Sequence, residues 1–246
     1  MKLILLRHGE SQWNLENRFT GWKDVSLTNN GIKEAEFAAK AINQKKITID
    51  SIYTSLLERA VETTKIVTKN IDFEFDKIVY DWRLNERHYG ALEGLNKSET
   101  ASKFGEDQVL IWRRSFDIPP PLLKQDDPRH PKFNPKFKSI DAQLPVGESL
   151  KDVIDRLMPF FNDYLELIKE SSGTHLIVAH SNSLRAIVKT LDKLSKDEII
   201  SINIPTGVPL VYSFDNNLNI INKEYLIDND ELKMKQAIIE NQGKAK

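Results

Sequence analysis

The chain has no cysteine among its 246 residues, and this absence excludes disulfides, thiolate catalysis and zinc-thiolate sites. No apolar stretch approaches the ~20 residues that a helix needs to span a bilayer. The chain also has no excess of charge of one sign, since 35 Lys and Arg residues are balanced by 36 Asp and Glu residues. The net charge is −1. We therefore expect no binding to nucleic acid or membrane. Because the first residues show no signal-peptide pattern, we expect a cytoplasmic protein.

The sequence has enough apolar residues, 40%, for one sizeable core. Strands are predicted at residues 2–6, 50–55, 73–82 and 174–179, and a hairpin at 209–225. Helices are predicted between them, at 32–45, from residue 56, at 150–168 and at 186–191. This alternation indicates an α/β three-layer sandwich with a mostly parallel central sheet and helices on both faces. We expect residues 1–246 to form a single domain.

Two segments depart from the alternation of strands and helices. Residues 87–148 contain short helical patterns at 98–104 and 106–116 and then many prolines, which predicts an insertion that covers part of the domain. Residues 228–246 are polar, which predicts a flexible C-terminal tail, helical around 232–239. Its position makes a lid over the site a reasonable hypothesis.

The opening apolar strand ends at Arg7, His8 and Gly9. Ligands bind at the carboxyl ends of strands in open α/β sheets. An imidazole there can attack phosphorus, a guanidinium can hold phosphoryl oxygens through two bonds, and a glycine lets the main chain come close. A lone histidine at a strand end is also compatible with a structural role, so this stretch supports only a hypothesis.

A second histidine, His180, directly follows the predicted strand 174–179 and precedes a helix. Carboxyl ends of parallel strands share one edge of a sheet, so His8 and His180 can converge. A metal site is disfavoured because Arg7 and Arg185 lie nearby and oppose cation binding. A serine triad is disfavoured because the sequence has no nucleophile elbow. The pattern favours phosphoryl transfer through histidine, with the helix N-terminus after His180 binding the anion.

Other polar residues fit an anion site, although each has an ordinary alternative. Asn14, Thr20 and Gly21 can offer an amide, a hydroxyl and a main-chain N–H group, while turn chemistry explains each of them singly. Arg59 lies in the first turn of a helix, where a cation opposes the helix dipole. That position indicates either an anion beside Arg59 or a solvated surface site.

A segment dense in ionisable groups follows the third predicted strand. Glu86 lies there between Arg83 and Arg87. The two cations can set the pKa of the carboxyl for proton transfer, or the three groups can form a structural ion-pair cluster. The sequence leaves both interpretations open.

Longer blocks of sequence resemble a known family. They read LRHGE at 6–10, SQWN at 11–14, RFTGW at 18–22, LNERHYGAL at 84–92, GLNK at 94–97, WRR at 112–114 and NIPTGVPLVY at 203–212. These blocks resemble the histidine phosphatase superfamily and, within it, the cofactor-dependent phosphoglycerate mutase family. The similarity runs from residue 2 to about residue 226, so it is far more specific than a short motif.

The resemblance implies a glycolytic and gluconeogenic enzyme that interconverts 3-phosphoglycerate and 2-phosphoglycerate through a phosphohistidine. It implies 2,3-bisphosphoglycerate as cofactor, no metal, and a homo-oligomer, either a dimer or a tetramer. His8 would carry the phosphoryl group, Arg7, Arg59 and His180 would contact it, and Glu86 would exchange the proton of the substrate hydroxyl. The implied substrate-binding residues are Ser11, Asn14, Thr20, Gly21, Arg87, Tyr89, Lys97, Arg113, Arg114, Ser181 and Asn182.

One position departs from the family pattern, which usually has a glycine where this chain has Ser181. Glycine adopts positive φ without strain. If Ser181 must do so, the cost is about 1 kcal/mol or more. The departure concerns the placement of the substrate and not the class of reaction.

Two other functions compete with the mutase hypothesis. A phosphatase on the same fold would let water attack the phosphohistidine. Residues 87–148 favour a mutase, because they supply a cover and extra cations that a simple phosphatase would not need. A non-catalytic binding protein would be expected to lose His8, Arg59, Glu86 or His180, and all four are present.

Overall fold

Six strands form one sheet in the computed structural model, which describes residues 1–71, 73–74, 77–170 and 173–241. The strands are β1 (Lys2–Arg7), β2 (Ser51–Thr54), β3 (Ile78–Tyr80), β4 (Thr174–Ala179), β5 (Leu210–Phe214) and β6 (Ile220–Tyr225). Their order across the sheet is β3-β2-β4-β1-β5-β6. β1 to β4 run parallel, while β5 and β6 are antiparallel. The predicted mostly parallel sheet is confirmed.

The helices of the described residues are α1 (Gln12–Leu15), α2 (Asn29–Gln44), α3 (Glu58–Ile71), α4 (Lys97–Phe104), α5 (Glu106–Arg114), α6 (Leu150–Glu170), α7 (Ser181–Leu191), α8 (Glu198–Ser201) and α9 (Asn229–Asn241). α2 and α3 cover one face of the sheet, and α6 and α7 cover the other. Within the described ranges, no helix is both long and apolar enough to cross a membrane.

The alternation of side chains along β1 divides the core into two layers. Leu3 and Leu5 pack on one face with α6 and α7, and Ile4 and Leu6 pack on the other face with α2. All four leucine and isoleucine side chains are fully buried. A strand that is apolar on both faces therefore lies at the centre of the sandwich, and its carboxyl end is fixed in the middle of the sheet edge.

The strand predicted at 73–82 is shorter in the structure, where only Ile78–Tyr80 pairs with β2. Residues 75 and 76 lie outside the described residues. The strand ends at Asp81, because its side chain accepts from the N–H of Arg83 and begins a 3-10 turn at Trp82–Leu84. This turn directs the chain towards Glu86.

Between Leu84 and α6 the chain forms α4, α5 and three 3-10 turns, Gly90–Leu92, Pro131–Phe133 and Pro135–Phe137. Phe19, Leu92 and Val109 form a small buried cluster there, separate from the two main layers. The two predicted helical patterns correspond to α4 and α5. The predicted tail helix at 232–239 lies within α9, while residues 242–246 lie outside the described residues and the mobility of the tail stays a prediction.

Candidate active site

The two predicted histidines meet at the carboxyl edge of the sheet. β1 and β4 pair in parallel with Arg7 opposite Ala179, so the residues that follow them, His8 and His180, lie side by side. The centroids of their rings are 5.0 Å apart. Strand pairing thus brings together two residues that are distant in the sequence, as the pattern predicts.

His8 is held in one tautomer by the main chain. Its Nδ1 lies 2.7 Å from the carbonyl oxygen of Gly9, which can only accept, so Nδ1 carries the proton and Nε2 the lone pair. Burial, then Arg59 and Arg7, lower the pKa of His8 well below its ordinary value of 6.5. The ring is neutral at pH 7, and Nε2 is available as a nucleophile.

Arg59 is bound to both the nucleophile and the neighbouring loop. Its Nε donates to Nε2 of His8 at 3.2 Å, and its two terminal nitrogens donate to the carbonyl oxygens of Gly21 at 2.9 Å and Lys23 at 3.1 Å. Burial lowers the pKa of Arg59 to about 10, so it stays charged at pH 7. Arg59 is 1% exposed, so it does not occupy the solvated surface site that the sequence left open.

Gly21 has to be a glycine for two reasons. Its φ is +56°, a left-handed conformation that residues with a Cβ rarely adopt, and a Cβ there would lie 2.8 Å from a carboxylate oxygen of Glu93. That same oxygen accepts from the N–H of Trp22 at 3.2 Å. Glu93 therefore supports the loop whose carbonyl oxygens orient Arg59.

His180 is fully buried at the start of α7. Burial, then Arg59, His8 and Arg7, lower the pKa of His180 well below 6.5, so this ring is also neutral at pH 7. Its Nδ1 has no hydrogen-bond partner in the described part of the chain, and neither has the buried Nε of Arg7. Arg7, His8 and Arg59 line the cavity, whereas His180 is not among the described residues of its wall and lies behind His8. We call Arg7, His8, Arg59 and His180 the transfer end.

Glu86 is the carboxylate nearest to this end along the cavity wall, and it is 7% exposed. One of its oxygens accepts from the main-chain N–H groups of Arg87 at 2.8 Å and Asn182 at 3.1 Å. Among the described residues, neither flanking guanidinium hydrogen-bonds to it, since Arg83 pairs with Asp81. Arg87 donates instead to main-chain carbonyls. Arg83, Glu86 and Arg87 therefore do not form the ion-pair cluster that the sequence left open.

A second group of cations comes from α4 and α5. Lys97, Arg113 and Arg114, which we call the binding end, all line the cavity. Burial, and then the nearby arginines, lower the pKa of Lys97 well below 10.5, and burial lowers the pKa of Arg113 to about 10. Cations buried beside one another are mutually repulsive, and a bound anion relieves that repulsion.

Among the residues that the structure describes, seven cationic side chains and a single carboxylate, that of Glu86, line the cavity. The cations are Arg7, Arg18, Arg59, Lys97, Arg113, Arg114 and Arg185. This excess of buried positive charge fits a small polyanion as the ligand.

Most of the substrate-binding residues predicted from the sequence line this cavity. They are Asn14, Thr20, Gly21, Tyr89, Lys97, Arg113, Arg114, Ser181 and Asn182. Two predicted residues do not, because Ser11 and Arg87 are fully buried behind the wall. Ser11 binds the amide oxygen of Asn14, and Arg87 donates to the carbonyl oxygen of Arg113.

Three residues of the cavity wall were not predicted. Arg185 follows Asn182 by one turn of α7 and donates to its amide oxygen at 3.0 Å, so helical spacing gave a signal for it. Arg18 lies inside one of the family-like blocks and was not singled out. Ile239 comes from α9, in the tail for which the sequence suggested a lid, but no pattern singled out this residue.

Ser181 does not carry the strain considered above. It is the first residue of α7 and is not among the residues with positive φ. Its main chain has the conformation that any residue adopts in a helix, so the substitution of the usual glycine needs no strained backbone. Its side chain lies at the cavity.

The described residues contain no cluster of three or more His, Cys, Asp or Glu that could hold a metal ion.

The model of the histidine phosphatase superfamily, branch 1, matches residues 3–125 and 122–223. The chain belongs to the histidine phosphatase superfamily.

A curated relative matches the whole length of the chain, and solved structures match its fold. A 2,3-bisphosphoglycerate-dependent phosphoglycerate mutase from Hydrogenobaculum sp. (strain Y04AAS1) is 51% identical over 99% of both chains. Among solved structures, mycobacterial hydrolase 1 has a TM-score of 0.69 at 21% identity and covers 93% of this chain and 97% of its own. A mycobacterial glucosyl-3-phosphoglycerate phosphatase complexed with VO3 has a TM-score of 0.69 at 22% identity, with 93% and 98% covered. These two structures support the fold.

Proposed function

We propose that the chain is a 2,3-bisphosphoglycerate-dependent phosphoglycerate mutase that interconverts 3-phosphoglycerate and 2-phosphoglycerate in glycolysis and gluconeogenesis. The observation that carries the proposal is a neutral, buried His8 whose Nε2 opens onto a cavity lined by seven cations. The relative that is 51% identical over 99% of the chain bears the same activity in its name.

His8 carries the phosphoryl group in this proposal. Its Nε2 attacks phosphorus while the bond from phosphorus to the substrate oxygen breaks. Arg7 and Arg59, both fixed by bonds to main-chain carbonyls, neutralise the charge that spreads over the phosphoryl oxygens. His180 and the N-terminus of α7 add N–H donors at the same place.

Glu86 exchanges the proton of the substrate hydroxyl. It is the only carboxylate among the residues that line the cavity in the described part of the chain. The two main-chain N–H groups on one oxygen fix its orientation and leave the other oxygen for the substrate. A carboxylate held in this way can take the proton when the hydroxyl attacks the phosphohistidine and return it in the reverse direction.

The residues present fit 2,3-bisphosphoglycerate, because one phosphoryl group can lie at the transfer end and the other at the binding end. The buried Nε atoms of Arg7 and Arg185, two residues of the cavity wall, have no hydrogen-bond partner among the described residues and are donors suited to such an anion. When bound, the bisphosphate supplies the phosphoryl group that is carried by His8. Ser11 and Arg87 act through Asn14 and Arg113, which they hold in place.

A mutase has to keep water from the phosphohistidine, and two segments are suited to this. We assign residues 87–148 as a cap, since they supply Lys97, Arg113 and Arg114 to the cavity wall. We assign residues 228–246 as a tail that closes the site, since Ile239 lines the cavity and Gln236 donates to the carbonyl oxygen of Asn203 at 3.2 Å. Protection of the tail from a protease by substrate would support this; equal cleavage with and without substrate would count against it.

We also propose a homo-oligomer, either a dimer or a tetramer, in the cytoplasm, where glycolysis takes place. β3 is an edge strand of the sheet, and its Val79 and Tyr80 are 45% and 46% exposed. An exposed apolar edge strand favours pairing with another chain. Light scattering should give the mass of an oligomer, and Val79→Lys should lower that mass; a wild-type protein with the mass of one chain would contradict the proposal.

The decisive experiment measures isomerisation of 3-phosphoglycerate to 2-phosphoglycerate by dephosphorylated enzyme in EDTA, with and without added 2,3-bisphosphoglycerate. We expect activity in EDTA that depends on the bisphosphate. A need for a divalent metal, or no response to the bisphosphate, would contradict the proposal. Release of inorganic phosphate faster than isomerisation would favour a phosphatase instead.

A further inference from the structure

Arg185 is a buried cation of α7, 1% exposed, whose guanidinium bridges two segments of the chain. One terminal nitrogen donates to the main-chain carbonyl oxygen of Ile199 in α8 at 2.6 Å, and the other donates to the side-chain amide oxygen of Asn182 at 3.0 Å. Burial lowers the pKa of Arg185 to about 9, so the group stays charged at pH 7. The bond to Ile199 holds the guanidinium in place beside Asn182.

This contact determines which way the amide of Asn182 points. The oxygen and nitrogen of an asparagine amide exchange places when the group turns by half a rotation, and a guanidinium, which has only donors, can face only the oxygen. Nδ2 of Asn182 therefore lies on the other side, where it donates to the hydroxyl of Tyr89 at 3.3 Å. Because a tyrosine hydroxyl can donate or accept, Tyr89 is compatible with either end of the amide, and Arg185 selects between them.

The orientation of this amide matters because Tyr89, Asn182 and Arg185 all line the cavity. The guanidinium covers the negative end of the amide dipole, and the N–H groups lie on the side of Tyr89. A reversed amide would place its oxygen there, and the oxygen would repel an anion. The main-chain N–H of Asn182 also donates to Glu86 at 3.1 Å, so Asn182 is held through both its main chain and its side chain.

We propose that Arg185 is a positioning residue that orients the side-chain amide of Asn182, so that Nδ2 donates to the anionic substrate. Arg185 contributes to binding through Asn182 and not as one more positive charge beside the anion. The inference rests on the proposed function only in naming the substrate as a phosphoglycerate, because the orientation of the amide follows from its contact with the guanidinium.

The first test is a double-mutant cycle on the binding of inorganic phosphate, measured by calorimetry. Arg185→Met should raise Kd about 10-fold in the wild-type background and less than about 3-fold in an Asn182→Ala background, because the amide through which Arg185 acts is then absent. Lys189→Met is the matched control, since Lys189 is another cation of α7 and donates to the carbonyl oxygen of Leu194. It should leave Kd within about 2-fold of wild type. Equal increases of Kd in the two backgrounds would show that Arg185 acts by its own charge and would overturn the proposal.

The second test measures the orientation of the amide directly, by nuclear Overhauser effects between the amide protons of Asn182 and the ring protons of Tyr89. The Asn182 signals are assigned with Asn182→Ala. We expect the effects in wild type and in Lys189→Met, and a clear weakening in Arg185→Met. Arg185→Lys keeps the buried charge but has a single donor nitrogen, which cannot bridge Asn182 and Ile199, so it should show a smaller weakening. Unchanged effects in both Arg185 variants would contradict the proposal. Since the spectra need no substrate, they decide the role of Arg185 even if mutase activity is not found.

Discussion

At the transfer end of the cavity, charged groups are held by main-chain carbonyls beside the sheet, whereas at the binding end they come from the short helices α4 and α5. Arg59 donates to two carbonyl oxygens and to His8. Arg114 donates to the side chain of Asn203 at 2.6 Å, and its bonds to main-chain carbonyl oxygens, those of Ile200 and Ile202, are longer, at 3.4 Å. The comparison shows where rigidity is needed. Transfer requires fixed geometry at one phosphorus atom, while binding requires charge that can hold either of two substrates.

The largest effect should come from breaking the transfer end at its nucleophile. We expect His8→Ala to lower kcat about 10⁴-fold or more, because the variant lacks the imidazole that lines the cavity, and His180 is not among the described residues of the cavity wall. Incubation with labelled 2,3-bisphosphoglycerate should give an acid-labile phosphoenzyme with wild type and none with the variant. If labelling persists in His8→Ala, the nucleophile is misassigned.

A smaller effect, mainly on KM, is expected at the binding end. Arg113→Met removes one charge-assisted bond to the substrate, so KM should rise about 10- to 100-fold while kcat changes less than about 10-fold. Lys103→Met is the matched control, since Lys103 is an exposed cation on α4. Steady-state kinetics should be measured for both variants, to give kcat and KM of each. A fall in kcat alone for Arg113→Met would mean that the two ends do not divide the work as described.

Glu93, which supports the loop that orients Arg59, makes stability depend on pH. Burial raises its pKa to about 7 from an ordinary 4.5, so the unfolded chain releases this proton at lower pH than the folded chain. Stability is therefore lost as pH rises from about 4.5 to about 7, by on the order of 3 kcal/mol. Glu93→Gln cannot ionise and should gain stability relative to wild type at pH 8 but not at pH 5.

Urea unfolding at the two pH values measures this difference. The exposed carboxylate of Glu99 on α4 offers the control Glu99→Gln, which should leave the pH dependence as in wild type. Parallel pH dependences for wild type and Glu93→Gln would show that the buried carboxyl is not a source of the effect.

The smallest effect is expected for Ser181→Gly, which restores the residue usual in the family. Ser181 has helical backbone geometry, so glycine relieves no strain. We expect KM for 3-phosphoglycerate to change less than about 3-fold. A large change would show that the hydroxyl of Ser181 contacts the substrate directly.

The sequence alone was sufficient where local chemistry and periodicity agree. The alternation of strands and helices predicted the parallel sheet, and two histidines at strand ends predicted their convergence. The strand at 73–82 was predicted too long at both ends, because Asp81 caps the turn that follows Tyr80, and residues 73, 74 and 77 do not pair in the sheet. Arg87 was predicted at the substrate, and only packing shows that its guanidinium binds carbonyl oxygens behind the wall.

The sequence by itself determined which chemistry is present: a nucleophilic histidine, a partner histidine, one acidic residue and many cations within family-like blocks. Only the tertiary structure decided how each group is oriented. The hydrogen bond from Arg59 to His8 depends on where α3 packs, the carbonyl contacts of Arg87 depend on where α5 lies, and the approach of Ile239 depends on where α9 packs. Hydrogen bonds and packing between distant segments set these features, and no local pattern encodes them.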